Sequence, residues 1–389
     1  MNRWLRSVST AALPALFFLG GTAGAGAQTV ESDALRVELG GRVQVQGATS
    51  SCSDYTIDGN PDSACFQDVP TADLFMRRLR LRVDVEFNRW ISARFQPDFA
   101  RLDEFRVADA YGRLNLNPDA ETTHARITIG HFKRPFDGFQ LHSSTQILTI
   151  ERALLIPGLL VPSYGTLSVT SSLSERDIGV MIDGGVASDL FHYWLGLFNG
   201  NIAFANRDDN NGKQLVGRAQ VNLTAGDMPL ALAVAGTIAD RGFENDDGSL
   251  ASKSHGAYEV FAELGDFGSG PHLMAGFVSG KNVLQTPAGD LPDLVAGDDF
   301  ASMFTWQAIG GWKLELEGNF FLEAVEPVFR IMMADPNGDL DGDTVWGYTP
   351  GVQLFFDARN KVAINWDLVS LSGDRRGENS FRVQYQFYY

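Results

Sequence analysis

The chain ends Phe381-Arg382-Val383-Gln384-Tyr385-Gln386-Phe387-Tyr388-Tyr389. Side chains alternate along a strand, so Phe381, Val383, Tyr385, Phe387 and Tyr389 fall on one face and Arg382, Gln384 and Gln386 on the other. An apolar, aromatic face that runs to the last residue suits lipid and an interfacial anchor, while the opposite row suits water. This strand predicts an all-β fold, a transmembrane antiparallel β-barrel.

The rest of the chain repeats the pattern. Alternating segments fall at about 34–46, 75–87, 91–100, 105–116, 124–132, 176–185, 188–198 and 214–224. Eight more fall at 229–238, 255–264, 271–280, 301–316, 320–333, 344–357, 361–369 and 380–389. The total of about 16 strands is even, as single-chain bacterial barrels require, and leaves room for an aqueous lumen. No window supplies about 18 uninterrupted apolar residues after the N-terminus, which excludes a helical membrane protein. Short connections alternate with long ones, placing both termini on the periplasmic side. The longest connection, 133–175, carries the apolar stretch Ala153-Leu154-Leu155-Ile156-Pro157-Gly158-Leu159-Leu160-Val161. A water-exposed loop would not carry that run, so this third long loop is expected to fold into the lumen.

Arg3 and Arg6 precede the apolar run Ala11–Leu19, and Ala25-Gly26-Ala27 has the small-residue pattern of a cleavage site. Residues 1–27 therefore read as a signal peptide and 28–389 as one barrel domain. Cys52 and Cys65, in a Gly/Asp/Pro-rich stretch of an exported chain, are expected to form a disulfide. The formal net charge is −17. Acidic residues gather in the turn-rich segments, but residues 77–134 hold 12 Lys/Arg against 8 Asp/Glu. With a Debye length of about 8 Å, a pore responds to its own lining rather than to distant loops.

In the second strand Arg78, Arg80, Arg82, Asp84 and Glu86 share one face, opposite Leu79, Leu81, Val83, Val85 and Phe87. Each Arg or Lys facing lipid near the midplane costs about 2–4 kcal/mol, so the charged row must face the lumen. Arg42, Arg94, Asp109, Arg113 and Arg126 fall on inward faces by the same rule, and Lys133 and Arg134 open the long loop. Arg77 has lipid-facing parity and is expected to snorkel to the interface from the strand's end. Guanidinium forks bind phosphate or carboxylate oxygens in pairs, so the row reads as a track for anions. Its rival reading is a set of structural salt bridges with Asp84, Glu86, Asp98 and Asp109.

Arg77-Arg78-Leu79-Arg80-Leu81, Asp109-Ala110-Tyr111 and Gly130-His131-Phe132-Lys133-Arg134-Pro135-Phe136 occur in order along the chain. Ser143-Ser144, Glu151-Arg152-Ala153-Leu154, Arg176-Asp177-Ile178-Gly179 and Glu326-Pro327-Val328 follow them. This ordered set resembles the phosphate-selective porin O/P family. The resemblance implies a trimeric sixteen-stranded porin of the bacterial outer membrane, an inward-folded third loop and an arginine-lined anion path. It assigns Arg77, Arg78, Asp109 and Lys133 to the lumen. The candidate pore-lining residues are thus Arg42, Arg77, Arg78, Arg80, Arg82, Arg94, Asp109, Arg126, Lys133 and Arg134.

The expected activity is passive passage of small hydrophilic solutes, phosphate- or polyphosphate-like anions by resemblance, with no catalytic residue and no cofactor. His142 beside Ser143 and Ser144 does not constitute a triad, which needs spatial geometry. Asp335, Asn337, Asp339 and Asp341 place oxygens at alternate positions as a calcium loop does, but lack its glycine and terminal glutamate. Expected partners are membrane lipid and lipopolysaccharide, two further copies of the chain, and the outer-membrane assembly machinery acting on the C-terminal strand; nucleic acid is not among them. The alternatives are a general or weakly selective porin with structural arginines, and an outer-membrane barrel enzyme or adhesin. TonB-type receptors need a plug domain, which the early onset of the strand pattern excludes.

Overall fold

The computed structural model describes residues 28–389, apart from 33–34, 52–71, 102–104, 121, 155–161, 201–211, 245–249, 284–299, 319–320 and 373–377. The Cys52–Cys65 pairing and most of the apolar run 153–161 lie outside the described residues.

A short strand, β1 (Gln28–Ser32), precedes β2 (Leu35–Ser51), β3 (Ala72–Glu86), β4 (Ile91–Asp98), β5 (Arg106–Asn115) and β6 (Arg126–Lys133). Two helical turns follow, α1 (Gly138–Leu141) and α2 (Tyr164–Thr170). Then come β7 (Arg176–Val186), β8 (Phe191–Phe198), β9 (Gln214–Ala225), β10 (Met228–Glu244), β11 (Leu250–Leu264) and β12 (Gly270–Asn282). The last five strands are β13 (Ala301–Glu315), β14 (Ala324–Asp335), β15 (Val345–Phe355), β16 (Asn360–Leu371) and β17 (Glu378–Tyr388).

Each strand from β2 to β17 pairs antiparallel with the next, and β17 pairs with β2, closing a sixteen-stranded barrel. All sixteen predicted segments are barrel strands. β10 and β11 run further than the alternation suggested, because their ladder continues to the pair Glu244↔Leu250. β1 was not foreseen: it pairs with Leu35–Leu39 of β2, the stretch beyond the end of β17. Backbone left unpaired in hydrocarbon costs several kcal/mol per group, and a closed ring leaves none.

The opening motif behaves as its alternation requires. Phe381, Val383 and Tyr385 are exposed on the outer wall, whereas Arg382, Gln384 and Gln386 are buried inside. Tyr389 exchanges backbone hydrogen bonds with Gly41 at 2.9 and 3.1 Å, extending the closing ladder to the last residue. The Tyr389 ring lies over Gly41, where an added Cβ would sit 2.6 Å from the phenol oxygen and 2.7 Å from the Arg80 carbonyl.

Two sites depart from strict alternation. The β2–β3 register shifts between Gln44, opposite Arg78, and Val45, opposite Met76, so Arg77 is an extra residue in a β-bulge. A bulge turns its extra side chain against the strand's parity. Arg77 accordingly points into the lumen, and the expected snorkelling to the lipid interface is overturned. A second shift, between Gln96 and Pro97, makes Ala108 the extra residue of β5.

The lumen is not uniformly wet. Phe261, Met274, Val278, Met303, Ile309 and Met332, all inward residues of β11–β14, are buried with Phe139, Leu148, Tyr164 and Leu167 of the segment between β6 and β7. Phe139 meets Tyr164 and Phe261 edge-on, with ring centroids 5.1 and 5.2 Å apart. The long loop therefore lies inside the barrel, as the resemblance implied.

Gly41→Leu should force Tyr389 off its seat and destabilise the closure by about 1–3 kcal/mol, the usual cost of overpacking. The heat-modifiable mobility of the folded barrel in detergent gels would then convert at a lower temperature than in the parent, and Gly41→Ala would show a smaller shift.

Candidate functional site

The inserted loop is fixed by polar clamps as well as by its apolar core. On β11 the Glu259 carboxylate accepts from the Asp137 and Gly138 amides at 3.0 and 2.6 Å, from the Tyr164 hydroxyl at 2.9 Å and from Arg218 of β9 at 2.8 Å. Burial and the adjacent Glu259 push the Asp137 carboxyl well above the usual carboxylate range. Arg330 of β14 donates to the Glu151 carbonyl at 2.9 Å and to Asp367 of β16 at 2.8 Å. Asn365 accepts from the Ile150 amide at 2.6 Å.

The Glu151 carboxylate crosses to the opposite wall, where it bonds Arg77 in bidentate fashion and lies 3.3 Å from Arg78. Only the bulge lets two consecutive arginines reach one carboxylate. Burial alone would raise the Glu151 pKa, but Arg77 and Arg78 hold it well below the ordinary glutamate range.

Between loop and wall lies a cavity of about 460 Å³. Its lining takes Arg77, Arg78, Arg80 and Arg82 from β3, Arg94 from β4, and Asp109, Tyr111 and Arg113 from β5. Arg42, Lys133 and Arg176 add charge from β2, β6 and β7, and Ser143, Ser144, Arg152 and Glu175 come from the loop. Ten cationic side chains thus stand beside two carboxylates in the lining itself, and Glu38, Asp84, Asp98 and Glu151 reach some of these cations from outside it.

Six of the ten cations are paired. Arg80 meets Asp98 at 2.6 Å, Arg82 meets Glu38 at 2.7 Å and Asp84 at 3.0 Å, and Arg94 meets Asp84 at 2.5 Å. Arg176 meets Asp109 at 2.8 Å and Glu175 at 3.4 Å, while Arg77 and Arg78 share Glu151. The remaining four, Arg42, Arg113, Lys133 and Arg152, have no carboxylate within 4.0 Å among the described residues.

Three of these four gather on the loop's edge. Arg42 donates to the Ser143 hydroxyl at 3.2 Å and also to the Ser144 hydroxyl. Lys133 and Arg152 both donate to the His142 carbonyl, at 2.9 and 2.6 Å. The loop's carbonyls face donors: Lys133 also holds Gln140, Gln44 takes Ser144 at 3.0 Å, Lys361 takes Thr145 at 3.3 Å and Gln353 takes Leu148 at 2.8 Å. With these acceptors engaged, the edge presents hydroxyls and cations to the cavity.

The structure brings Arg42, Arg77, Arg78, Arg80, Arg82, Arg94, Asp109 and Lys133 to this cavity. It does not bring two of the predicted residues. Arg134 is buried behind the loop, 2.9 Å from Asp177, and donates to the Ser172 and Ser174 carbonyls. Arg126 lies nearer the short-turn end of β6 and is held by Asp183 at 2.6 Å. Position in a strand marks a side chain as inward, but not the height at which its neighbours leave space. Arg152 and Arg176 were missed as lining residues, although both lie in the ordered motifs. In the acidic turn, Asn337 accepts from the Asp339 amide and Asp343 from the Asn337 amide. Those oxygens serve the turn, and no three His, Cys, Asp or Glu side chains are grouped for a metal among the described residues.

A closed sixteen-strand barrel with an apolar outer wall, a polar, charged cavity and an inserted loop defines a porin. The chain belongs to the phosphate-selective porin O and P family, whose model matches residues 54–254. Every cavity-lining residue except Arg42 falls within that span. Among solved structures, OprB of Pseudomonas putida at high pH is similar at 9% identity and TM-score 0.59, covering 91% of this chain and 94% of that one. OmpT of Vibrio cholerae is similar at 13% and 0.55, covering 93% and 100%. An anion-selective porin from Comamonas acidovorans is similar at 12% and 0.56, covering 91% and 100%. At these identities the likeness is one of fold. No curated protein matches the chain. The protein is a channel of the bacterial outer membrane.

Removing the Glu151 charge by Glu151→Gln should leave Arg77 and Arg78 uncompensated and cost about 3 kcal/mol, as for other broken buried pairs. Because the folded-state pKa is depressed, this contribution is complete above the unfolded glutamate value of ~4.3 and fades as pH falls below it. Acid unfolding of the parent should therefore show a pH-dependent loss in this range that is reduced in E151Q, measured by tryptophan fluorescence.

Proposed function

We propose that this channel prefers anions, phosphate-like oxyanions foremost, and that Arg42, Lys133 and Arg152 form the selective station. The observation that carries the reading is the convergence of these three cations, none with a carboxylate within 4.0 Å among the described residues, on the loop edge at His142–Ser144. Guanidinium forks and hydroxyl donors match the oxygens of phosphate, and charge in a low-dielectric wall sets which ion enters. The six neutralised cations support a second part of the reading: Arg80, Arg82 and Arg94 hold the wall rigid more than they attract solute. Phosphate as the preferred solute rests on the family's description.

The same reading takes residues 1–27 as an export signal and three copies of the chain as the working assembly. Its exposed aromatic C-terminal strand is the segment offered to lipid, lipopolysaccharide and the assembly machinery. A passive channel needs no catalytic residue.

Planar-bilayer recordings under potassium chloride and potassium phosphate gradients test this. The parent should show anion-directed reversal potentials, and Arg42→Gln should lower the anion-to-cation permeability ratio severalfold, on the order of two to ten. Arg80→Gln should change it less, since Asp98 already offsets that charge. Cation preference in the parent, or equal insensitivity to both substitutions, would establish a general pore with structural arginines.

A further inference from the structure

We infer that Glu263 on β11 is a positioning residue for the edge of the inserted loop: through His142 it holds that edge against the far wall, and the hold tightens when the imidazole is charged. The inference deepens the anion-station reading above and rests on it, since the edge so held is where Arg42, Lys133 and Arg152 meet.

His142 stands between two walls. It is the C-cap of α1, where the chain leaves the helical turn in an extended conformation. The last carbonyls of a helix lack partners within it. Here Lys133 Nζ takes those of Gln140, Leu141 and His142, the last at 2.9 Å, and Arg152 donates to the same His142 carbonyl at 2.6 Å. The ring points the other way. Its Nε2 lies 3.1 Å from Glu263 Oε2, and Nε2 of His272 on β12 lies 2.8 Å from Glu263 Oε1. One carboxylate thus holds two imidazoles, each by its own oxygen. Phe267, in the short turn between β11 and β12, meets both rings, with centroids 5.5 Å from His142 and 4.3 Å from His272. Gly265 lets that turn fold back: its φ is 85°, and an added Cβ would lie 2.2 Å from the Pro271 carbonyl oxygen. Gln44 and Lys361 anchor Ser144 and Thr145 to β2 and β16, whereas on the β11–β12 side the edge is anchored through His142.

Glu263 differs from the other inward carboxylates in the kind of cation it meets. Asp84, Asp98, Asp109 and Glu151 are each met by arginine. No lysine or arginine lies within ion-pair distance of Glu263 among the described residues; its partners are imidazoles. Histidine is the side chain that changes charge near neutral pH. A hydrogen bond to a charged group contributes roughly twice what a neutral one does. The hold is therefore full on the acid side, with the imidazole protonated and Glu263 ionised, and weakens as pH rises and the ring becomes neutral. Other charged groups pack about the pair. Lys133 and Arg152 face the His142 carbonyl, and Asp137 and Glu259 meet at the head of α1. Glu326 of β14, with Lys313 and Lys361, interacts with His272 from the far side.

The experiment follows amide hydrogen exchange of residues 140–147 and, in planar bilayers, the anion-to-cation permeability ratio. Both are measured at about pH 5.5 and pH 8 for the parent, Glu263→Gln, His142→Gln and Arg42→Gln. Heat-modifiable gel mobility checks that each is folded, and exchange is expressed as a protection factor, which removes the intrinsic effect of pH on the exchange chemistry. Protection in the parent should be about fivefold higher at the acid pH, as a charge-assisted hydrogen bond replaces a neutral one. H142Q and E263Q should each shrink that step to within about twofold, while R42Q keeps the step and lowers the permeability ratio. Equal protection of the parent at both pH values would overturn the inference. So would a step that survives in H142Q, which would assign the response to another of the charged groups around the pair. A step lost in both variants, with no matching pH change in the parent's permeability ratio, would sustain the hold on the loop and sink the anion-station reading alone. If one variant does not fold, the parent's pH profile and the other variant decide.

Discussion

A backbone amide that meets hydrocarbon without a partner costs several kcal/mol, and a membrane-spanning wall carries a row of them. Everything else follows from the way the chain meets that requirement. The ladder from β2 to β17 must close on itself, and the last residue, Tyr389, completes the ladder by pairing with Gly41. β1 then occupies the part of β2 that β17 is too short to reach. Closure gives each strand an outer face for lipid and an inner face with nowhere to go but the lumen. The inner faces therefore decide what the barrel can do.

Those faces divide into two kinds of wall. β11–β14 turn phenylalanine, methionine and aliphatic side chains inward, and such a surface is stable only when something apolar covers it. The segment between β6 and β7 supplies that cover with Phe139, Leu148, Tyr164 and Leu167. β2–β6 turn arginines inward, and these would repel one another without the carboxylates set among them. The resulting ladder is mostly neutral, with positive charge left over at a few chosen places. Formal charge counts along the chain do not reveal this, since the acidic loops and the basic wall act on different spaces.

Much of the architecture was legible in the sequence because a barrel wall obeys a period of two. The sixteen segments, the inward row Arg78, Arg80 and Arg82, and the outward row ending in Tyr389 all follow from it. What escaped the reading breaks that period or depends on packing. Parity alone puts Arg77 on the lipid side, because nothing local signals an inserted residue in β3, whereas the family resemblance puts it in the lumen. Arg134 was placed in the pore because its neighbour Lys133 is there, while its own partner, Asp177, lies more than forty residues on. Arg152 escapes the alternation because a loop folded into a lumen has no periodicity to set its height, and Arg176 because it is the first residue of β7, where the loop gives way to the strand. The ordered motifs contained both residues, but order along a chain is not position in space.

Strict alternation limits how densely one strand can present charge to a lumen, with successive inward side chains about 6.7 Å apart. The bulge at Arg77 breaks that limit at one place, putting two guanidiniums on consecutive residues within reach of a single carboxylate. The loop is thus moored to a count. A slip of one residue between β2 and β3 would erase the doubled charge and leave Glu151 without its berth, however well the rest of the ladder re-formed. In this barrel the number of residues between two turns is itself a piece of the site's chemistry.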